Sequence, residues 1–571
     1  MTTPDQIHAA VARLTSPGEI FEVTQREIDG RRQRAYANAS ATLLDILQMG
    51  RAHGRAEFLV YGGRRWTFTE FFTDVDALAA TLQHDLGVEP GDRVAIAMRN
   101  CADWVVAFGA AVHAGAVVVP INSWGSVDEL TFSLTNSGSG VLVADARRLA
   151  LAEPLLGTTG LTVLLGDLER GAPEPATRPG VRRLDDAVEA GRGRVYELST
   201  PAPDDVAVLL YTSGSTGHPK GVIHRNLAIG QAVMNLFFVG YLAIETGGAI
   251  ELRGGATAEA QLVTVPLFHA TGLLSGLVLP CAVGQKAVIL PKWDPVAALQ
   301  AIEAEKLTMM STVPTILKDF LTHPDFPDYD TSSLIRATGA GAATPADLPG
   351  LLADKLGIVN RSAGYGMTES MAVAATMSGP VFDLKPTASG ILSPIIDMRF
   401  ADASGDVLAA GEEGEIQLRG VTMTLGYWDL PDATRDAFTK DGWYRTGDVG
   451  HLDDDGYLHV TGRIKEMVIR GGENIYPAEI ENAAYRHAGV KEAAVFGVPD
   501  AHLGEELAIV CYLQPDACLT EADLREHLTG ILANHKVPRF IALSDVPLPR
   551  NASEKIHRLG IRQGFLPAAQ S

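Results

Sequence analysis

Tyr211-Thr212-Ser213-Gly214-Ser215-Thr216-Gly217-His218-Pro219-Lys220-Gly221-Val222 decides how the rest of this chain is read. Twelve residues hold three Gly, two Ser, two Thr and one Lys. The apolar run Val206 to Tyr211 leads in as a buried strand, and Pro219 keeps the turn that follows from being helix. Gly214 and Gly217 lack a Cβ, so the backbone can turn sharply and approach a ligand. Successive N–H groups in such a turn form a nest for anions. Ser213, Ser215 and Thr216 add hydroxyl donors, and Lys220 adds positive charge. The segment reads as a phosphate-gripping loop. Its spacing is not the Walker pattern, because Lys220 sits between Pro219 and Gly221.

Working outward, 571 residues exceed one compact core, so two or more domains are expected. Net charge is −22, which argues against a nucleic-acid partner. Cys101, Cys281, Cys511 and Cys518 have no metal-type spacing and read as reduced thiols of a cytoplasmic protein. No secretory signal pattern opens the chain, and no transmembrane segment is read. The most apolar long run, Val105 to Ile121, carries His113, Gly115 and Pro120, and so reads as helix, turn and strand.

Residues 1 to about 55 read as a helical lead-in. Trp66-Thr67-Phe68 follows as a strand, with Thr69 as the cap of the next helix. Helix then alternates with apolar strand through Arg93–Met98, Val117–Pro120 and Gly140–Ala144, which predicts parallel α/β layers. Residues from about 158 to 203 read as a variable excursion. The alternation resumes through Gln261–Pro266, Lys286–Leu290 and Met309–Val313. Past about residue 385 short strands and Gly/Asp turns dominate, and beyond Lys465 an independent α+β pattern begins. The fold class is therefore α/β. Residues 1–464 form a large domain with a β-rich part at about 385–464, and 465–571 form a smaller α+β domain.

Six further strings complete the pattern. They are Pro266-Leu267-Phe268-His269-Ala270-Thr271-Gly272, Gly341-Ala342-Ala343, Tyr365-Gly366-Met367-Thr368-Glu369 and Tyr444-Arg445-Thr446-Gly447-Asp448. Then come Gly462-Arg463-Ile464-Lys465 through Gly471-Gly472 to Pro477, and Pro549 to Ile556 around Lys555. Taken with the loop, they resemble the adenylate-forming superfamily of acyl-CoA synthetases, luciferases and peptide-synthetase adenylation domains. The resemblance covers residues from about 55 to 560.

That resemblance implies an acid–thiol ligase using ATP, Mg²⁺ and coenzyme A. A carboxylate attacks the α-phosphorus of ATP, pyrophosphate leaves, and a thiol then displaces AMP. It implies that Thr212 to Gly217 and Lys220 hold phosphates and that Gly341, Ala342 and Ala343 turn against adenine. Tyr365 stacks on adenine, with Gly366 and Met367 in the same turn. Thr368 meets the α-phosphate, Glu369 and Thr216 serve Mg²⁺, and Asp448 with Arg463 holds the ribose. Lys555 would reach in from the small domain as a catalytic residue, and His269 would flank the carboxylate. Lys465 would be the hinge of a mobile C-terminal domain, and Gly471 and Gly472 would line the CoA channel. Two departures stand out. Glu554 takes the place of the usual Gly before the terminal lysine, and Ala343 the place of Pro.

Met234 and Phe238, with His269, Ala340 and Gly364, read as an acyl pocket, favouring a medium-to-long aliphatic acid. Aryl and polycyclic acids, a separate carrier protein as acceptor, a luciferase-like monooxygenase and a silent nucleotide-binding relative are the alternatives. A homodimer is left open. Phe268-His269 stands where amino-acid-activating relatives carry an aspartate, so an α-amino acid is disfavoured.

Overall fold

The computed structural model describes residues 2–156, 160–167, 179–212, 218–248, 251–312, 314–339, 348–357, 362–500, 502–514, 517–550 and 556–569. A first sheet of seven strands runs in the order Lys220–Arg225, Val206–Thr212, Val117–Pro120, Arg93–Ala97, Val141–Ala144, Thr162–Leu165, Val181–Arg183. It is parallel except at its first pair. Val117–Pro120 and Val141–Ala144 are buried at every position, as strands covered on both faces require. A second sheet, of six strands, runs Arg336–Gly339, Met309–Thr312, Ala260–Val263, Lys286–Ile289, Glu57–Tyr61, Arg64–Thr67. Helices Phe68–His84 and Ala102–His113 lie against the same apolar core as both sheets.

A third sheet is antiparallel throughout, in the order Ser362–Tyr365, Ala375–Ser378, Gly390–Leu392, Tyr457–Arg463, Tyr444–Leu452, Gly414–Gly420, Ile396–Ala401. The β-rich region thus begins before residue 385, because Ser362–Tyr365 and Ala375–Ser378 pair into it. After Arg463 a single turn, Ile464–Glu466, leads to a separate five-stranded sheet built from Val468–Arg470, Glu473–Ile475, Val490–Asp500, Gly504–Leu513 and Phe540–Ser544. Pro477 opens helix Pro477–Tyr485 at its first position, and Thr520 with Asp523 forms the expected capping box. The molecule is mixed α/β, with a large N-terminal and a small C-terminal domain.

Three local expectations are corrected. The lead-in is not all helical: Val23–Ile28 and Arg31–Tyr36 form a hairpin through Asp29-Gly30, where φ is 52° and 70°. Thr67, not Thr69, caps Phe68–His84, because Thr67 exchanges hydrogen bonds with Glu70. The excursion contributes two strands, Thr162–Leu165 and Val181–Arg183, to the first sheet. Among the described residues one helix, Asn226–Glu245, is long and apolar enough to cross a membrane by length and composition, and 61% of its apolar window is buried in the fold.

Candidate active site

The phosphate loop joins two antiparallel strands, with Thr212 opposite Lys220. Ser213, Gly214, Ser215, Thr216 and Gly217 lie outside the described residues, as do Ala340, Gly341, Ala342, Ala343, Glu554 and Lys555. Beyond the loop, residues 425–428 run alongside the outer strand. Leu425 N–H donates to the Ile223 carbonyl at 3.2 Å, Ile223 N–H to Gly426 at 3.1 Å, and Trp428 N–H to Gly221 at 2.8 Å. This pairing carries Tyr427 to the loop's base. Lys220 Nζ sits 4.7 Å from the centre of the Tyr427 ring.

Next to the loop stands the turn 366–372. His224, fully buried, donates from Nε2 to the Thr368 carbonyl at 2.7 Å. Thr424 N–H donates to the Glu369 carbonyl at 2.7 Å. The turn closes on itself: a Cβ at Gly366 would lie 2.5 Å from the Ala372 carbonyl oxygen, so only glycine fits there. Met371 and Ala372 take φ of 51° and 60°, conformations that L-residues adopt at a cost. The half-buried Glu369 carboxylate accepts from the Tyr427 hydroxyl at 2.9 Å, and the Tyr444 hydroxyl lies 3.0 Å from that of Tyr427.

At the other end of the same motif Tyr365 donates to Asp448 Oδ2 at 2.8 Å. Arg463 Nε reaches Asp448 Oδ1 at 2.8 Å, because strands Tyr444–Leu452 and Tyr457–Arg463 place Asp448 opposite Arg463. Burial raises the Asp448 carboxyl above its usual range, and Arg463 pulls it back. Burial, and then the Asp448 charge, raise the Tyr365 phenol, which keeps it a donor. Tyr365, Gly366, Met367, Thr368, Glu369, Asp448 and Arg463 are thus brought together, with Lys220 at the far end.

The carboxylate-flanking motif is braced by Asn100, which donates to the Val265 carbonyl and accepts from Leu267 N–H, both at 2.9 Å. Phe268 is buried, edge-on to Trp124 at 5.4 Å and 4.5 Å from the ring of the half-buried His269. Met234 is half-buried on the apolar cluster that Phe237 and Ala363 also border. Gly364 is exposed on its strand. Phe238 is a correction. It packs into the lead-in, 5.6 Å from Phe21 and 6.1 Å from Tyr36, so it is core and not pocket wall.

Lys465 lies in the turn Ile464–Glu466 between the domains. Gly471 and Gly472, at φ 61° and 91°, form the two-residue turn between Val468–Arg470 and Glu473–Ile475, and Gly472 faces open space. Among the described residues no cluster of three His, Cys, Asp or Glu could hold a metal ion. Of the two residues expected to serve Mg²⁺, Glu369 is described and Thr216 is not, and a single carboxylate is in keeping with an ion that binds through one or two carboxylates plus substrate phosphates. Tyr427 and His224 escaped the sequence reading. The signal for Tyr427 was an aromatic pair, Tyr427-Trp428, in a Gly/Asp-rich turn.

Residues 48–428 match the AMP-binding enzyme family, and residues 479–555 match its C-terminal domain. A feruloyl-CoA synthase of Amycolatopsis is 36% identical, the match covering 88% of this chain and 95% of the relative. A 3-[(3aS,4S,7aS)-7a-methyl-1,5-dioxo-octahydro-1H-inden-4-yl]propanoyl:CoA ligase of Mycobacterium tuberculosis is 35% identical, covering 88% and 95%. The crystal structure of the anthranilate CoA ligase AuaEII with anthranoyl-AMP superposes with a TM-score of 0.81 at 26% identity, covering 93% of this chain and 98% of the other. The chain therefore belongs to the AMP-binding enzyme family, and within it to the AMP-forming acid–thiol ligases of the acyl-CoA synthetase type.

Proposed function

We propose that the protein joins an uncharged, apolar carboxylic acid to coenzyme A through an acyl-adenylate, in the cytoplasm. The observation that carries this reading is the continuous arrangement of Tyr365, Asp448 and Arg463 at one end of a turn and Glu369 at the other. Asp448 and Arg463 would take the ribose, Tyr365 the base, Thr368 the α-phosphate, and Lys220 with the 212–217 loop the outer phosphates. Glu369 would hold Mg²⁺, which when bound offsets charge on the phosphates. Lys555 would approach from the small domain for adenylate formation, and Gly471-Gly472 would line the thiol's path after the domain turns.

For the acid's tail we place ring-bearing acids ahead of straight medium-to-long chains. The relatives at 35–36% identity are named for ring-bearing acids, those at 30–32% include medium- and long-chain acyl-CoA ligases, and Phe238, one supposed wall of an aliphatic pocket, belongs to the core. The test is pyrophosphate release with a cinnamate-type acid, a polycyclic propanoate, octanoate, palmitate and the standard amino acids, each with and without CoA. The expected order in kcat/KM is ring-bearing, then aliphatic, with amino acids last. An α-amino acid in first place would refute this reading of the Phe268-His269 segment, and light emission would point to the monooxygenase class.

A further inference from the structure

Tyr427 lies outside every string used to recognise the site, yet it touches both ends of the phosphate machinery. Its ring faces Lys220 Nζ at 4.7 Å, and its hydroxyl donates to Glu369 Oε1 at 2.9 Å. The Tyr444 hydroxyl, 3.0 Å away, is left to donate to Tyr427. Tyr427 and Tyr444 are 7% and 5% exposed, so these contacts are shielded from water. Burial, and then the Glu369 charge, raise both phenols, which therefore remain donors. The backbone of residues 425–428 is fastened to the strand that begins at Lys220, so ring and lysine share one support.

Lys220 and Glu369 make no ion pair with each other in this arrangement. Opposite charges in a half-buried cleft attract strongly, and a direct pair would remove both from the triphosphate. The phenol gives each a weaker partner: its π face for the ammonium, its hydroxyl for the carboxylate. Either contact can be exchanged for a phosphate or a cation at little cost.

We propose that Tyr427 is a positioning residue that keeps Lys220 and Glu369 from pairing, so that both charges stay available to ATP. This rests on the assignment of Lys220 and Glu369 to the triphosphate given above. The experiment measures ATP affinity by equilibrium titration, in EDTA, for the full chain and for Tyr427→Phe, Glu369→Gln and the double variant. Tyr427→Phe keeps the ring and frees the carboxylate to capture Lys220, so ATP binding is expected to weaken about tenfold. In the Glu369→Gln background, where no pair can form, the same change is expected to alter affinity less than about twofold. Wild-type affinity in Tyr427→Phe, or an equal loss in both backgrounds, would overturn the proposal. A wild-type chain that bound no ATP would instead strike the assignment on which it rests.

Discussion

Two buried histidines make the clearest residue-scale case. His224 uses Nε2 on the Thr368 carbonyl, while its Nδ1 is buried with no partner. His113 places Nδ1 on the Gly109 carbonyl at 2.7 Å, which leaves Nε2 to accept from Gln48 at 2.8 Å. Burial pushes both rings down to about 4 from 6.5. Between those values the unfolded chain binds more protons than the fold, so these groups make stability rise with pH and fall on acidification. Asp103, which burial raises to about 6, and Asp167 and Asp448, also raised mainly by burial, act in the opposite sense. The useful measurement is therefore a difference. Melting of wild type against His113→Gln from pH 7 to 4.5 should show the wild-type advantage shrinking by about 2 kcal/mol as pH falls. A constant gap would mean that His113 titrates normally.

At the scale of elements the turn Ile464–Glu466 is the informative piece. Arg463 is tied to Asp448 in the third sheet. One turn later Glu466 is tied to Arg558 at 3.2 Å, and Arg558 also grips Glu481 at 2.7 Å in helix Pro477–Tyr485. The backbone between these two anchors is Ile464 and Lys465. Lys465→Pro fixes φ there and restricts Ile464. Adenylate formation is expected to survive in this variant while transfer to CoA falls at least tenfold, as rapid-quench assays of each half-reaction would show. Near-wild-type rates in both would place the pivot elsewhere.

Elements also show what could be read without coordinates. The parallel strands were legible because they are short, wholly apolar and bounded by turns. The Asp29-Gly30 hairpin was missed: its two-residue turn signal is present, but the polar strands around it show no apolar alternation. Phe238 misled because Asn226–Glu245 is apolar on nearly every side, so periodicity does not say which face meets which neighbour. Tyr427 could not be found from spacing, since its partners Lys220 and Glu369 come from other segments and meet it only through tertiary pairing.

On the scale of the whole molecule, the residues expected to form the site fall in both domains. Glu369 and Asp448 belong to the large domain, whereas the terminal lysine motif follows the last strand of the small one. Between the bodies, Lys491 and Asp319 pair at 3.2 Å with side chains 28% and 50% exposed. An exposed pair of that kind contributes about 0–1 kcal/mol, so it is a weak tether. Lys555→Ala is accordingly expected to lower adenylate formation by two or more orders of magnitude while leaving thioester formation from supplied acyl-adenylate within about threefold. Equal losses in both half-reactions would deny the lysine a step-specific role.

The left-handed backbone at Met371 and Ala372 bears on how this protein can change over generations. Neither residue is glycine, and each is held at positive φ directly behind Glu369. Glycine in place of Met371, which is fully buried in the core, would cost more than it relieves by removing a packed side chain, whereas in place of Ala372 it would relieve up to about 1 kcal/mol after its own entropy loss. It would also loosen the turn that aims the carboxylate. Selection for heat resistance and selection for turnover therefore pull in opposite directions on the codon for Ala372, and a variant hardened there should be slower because it softens this turn.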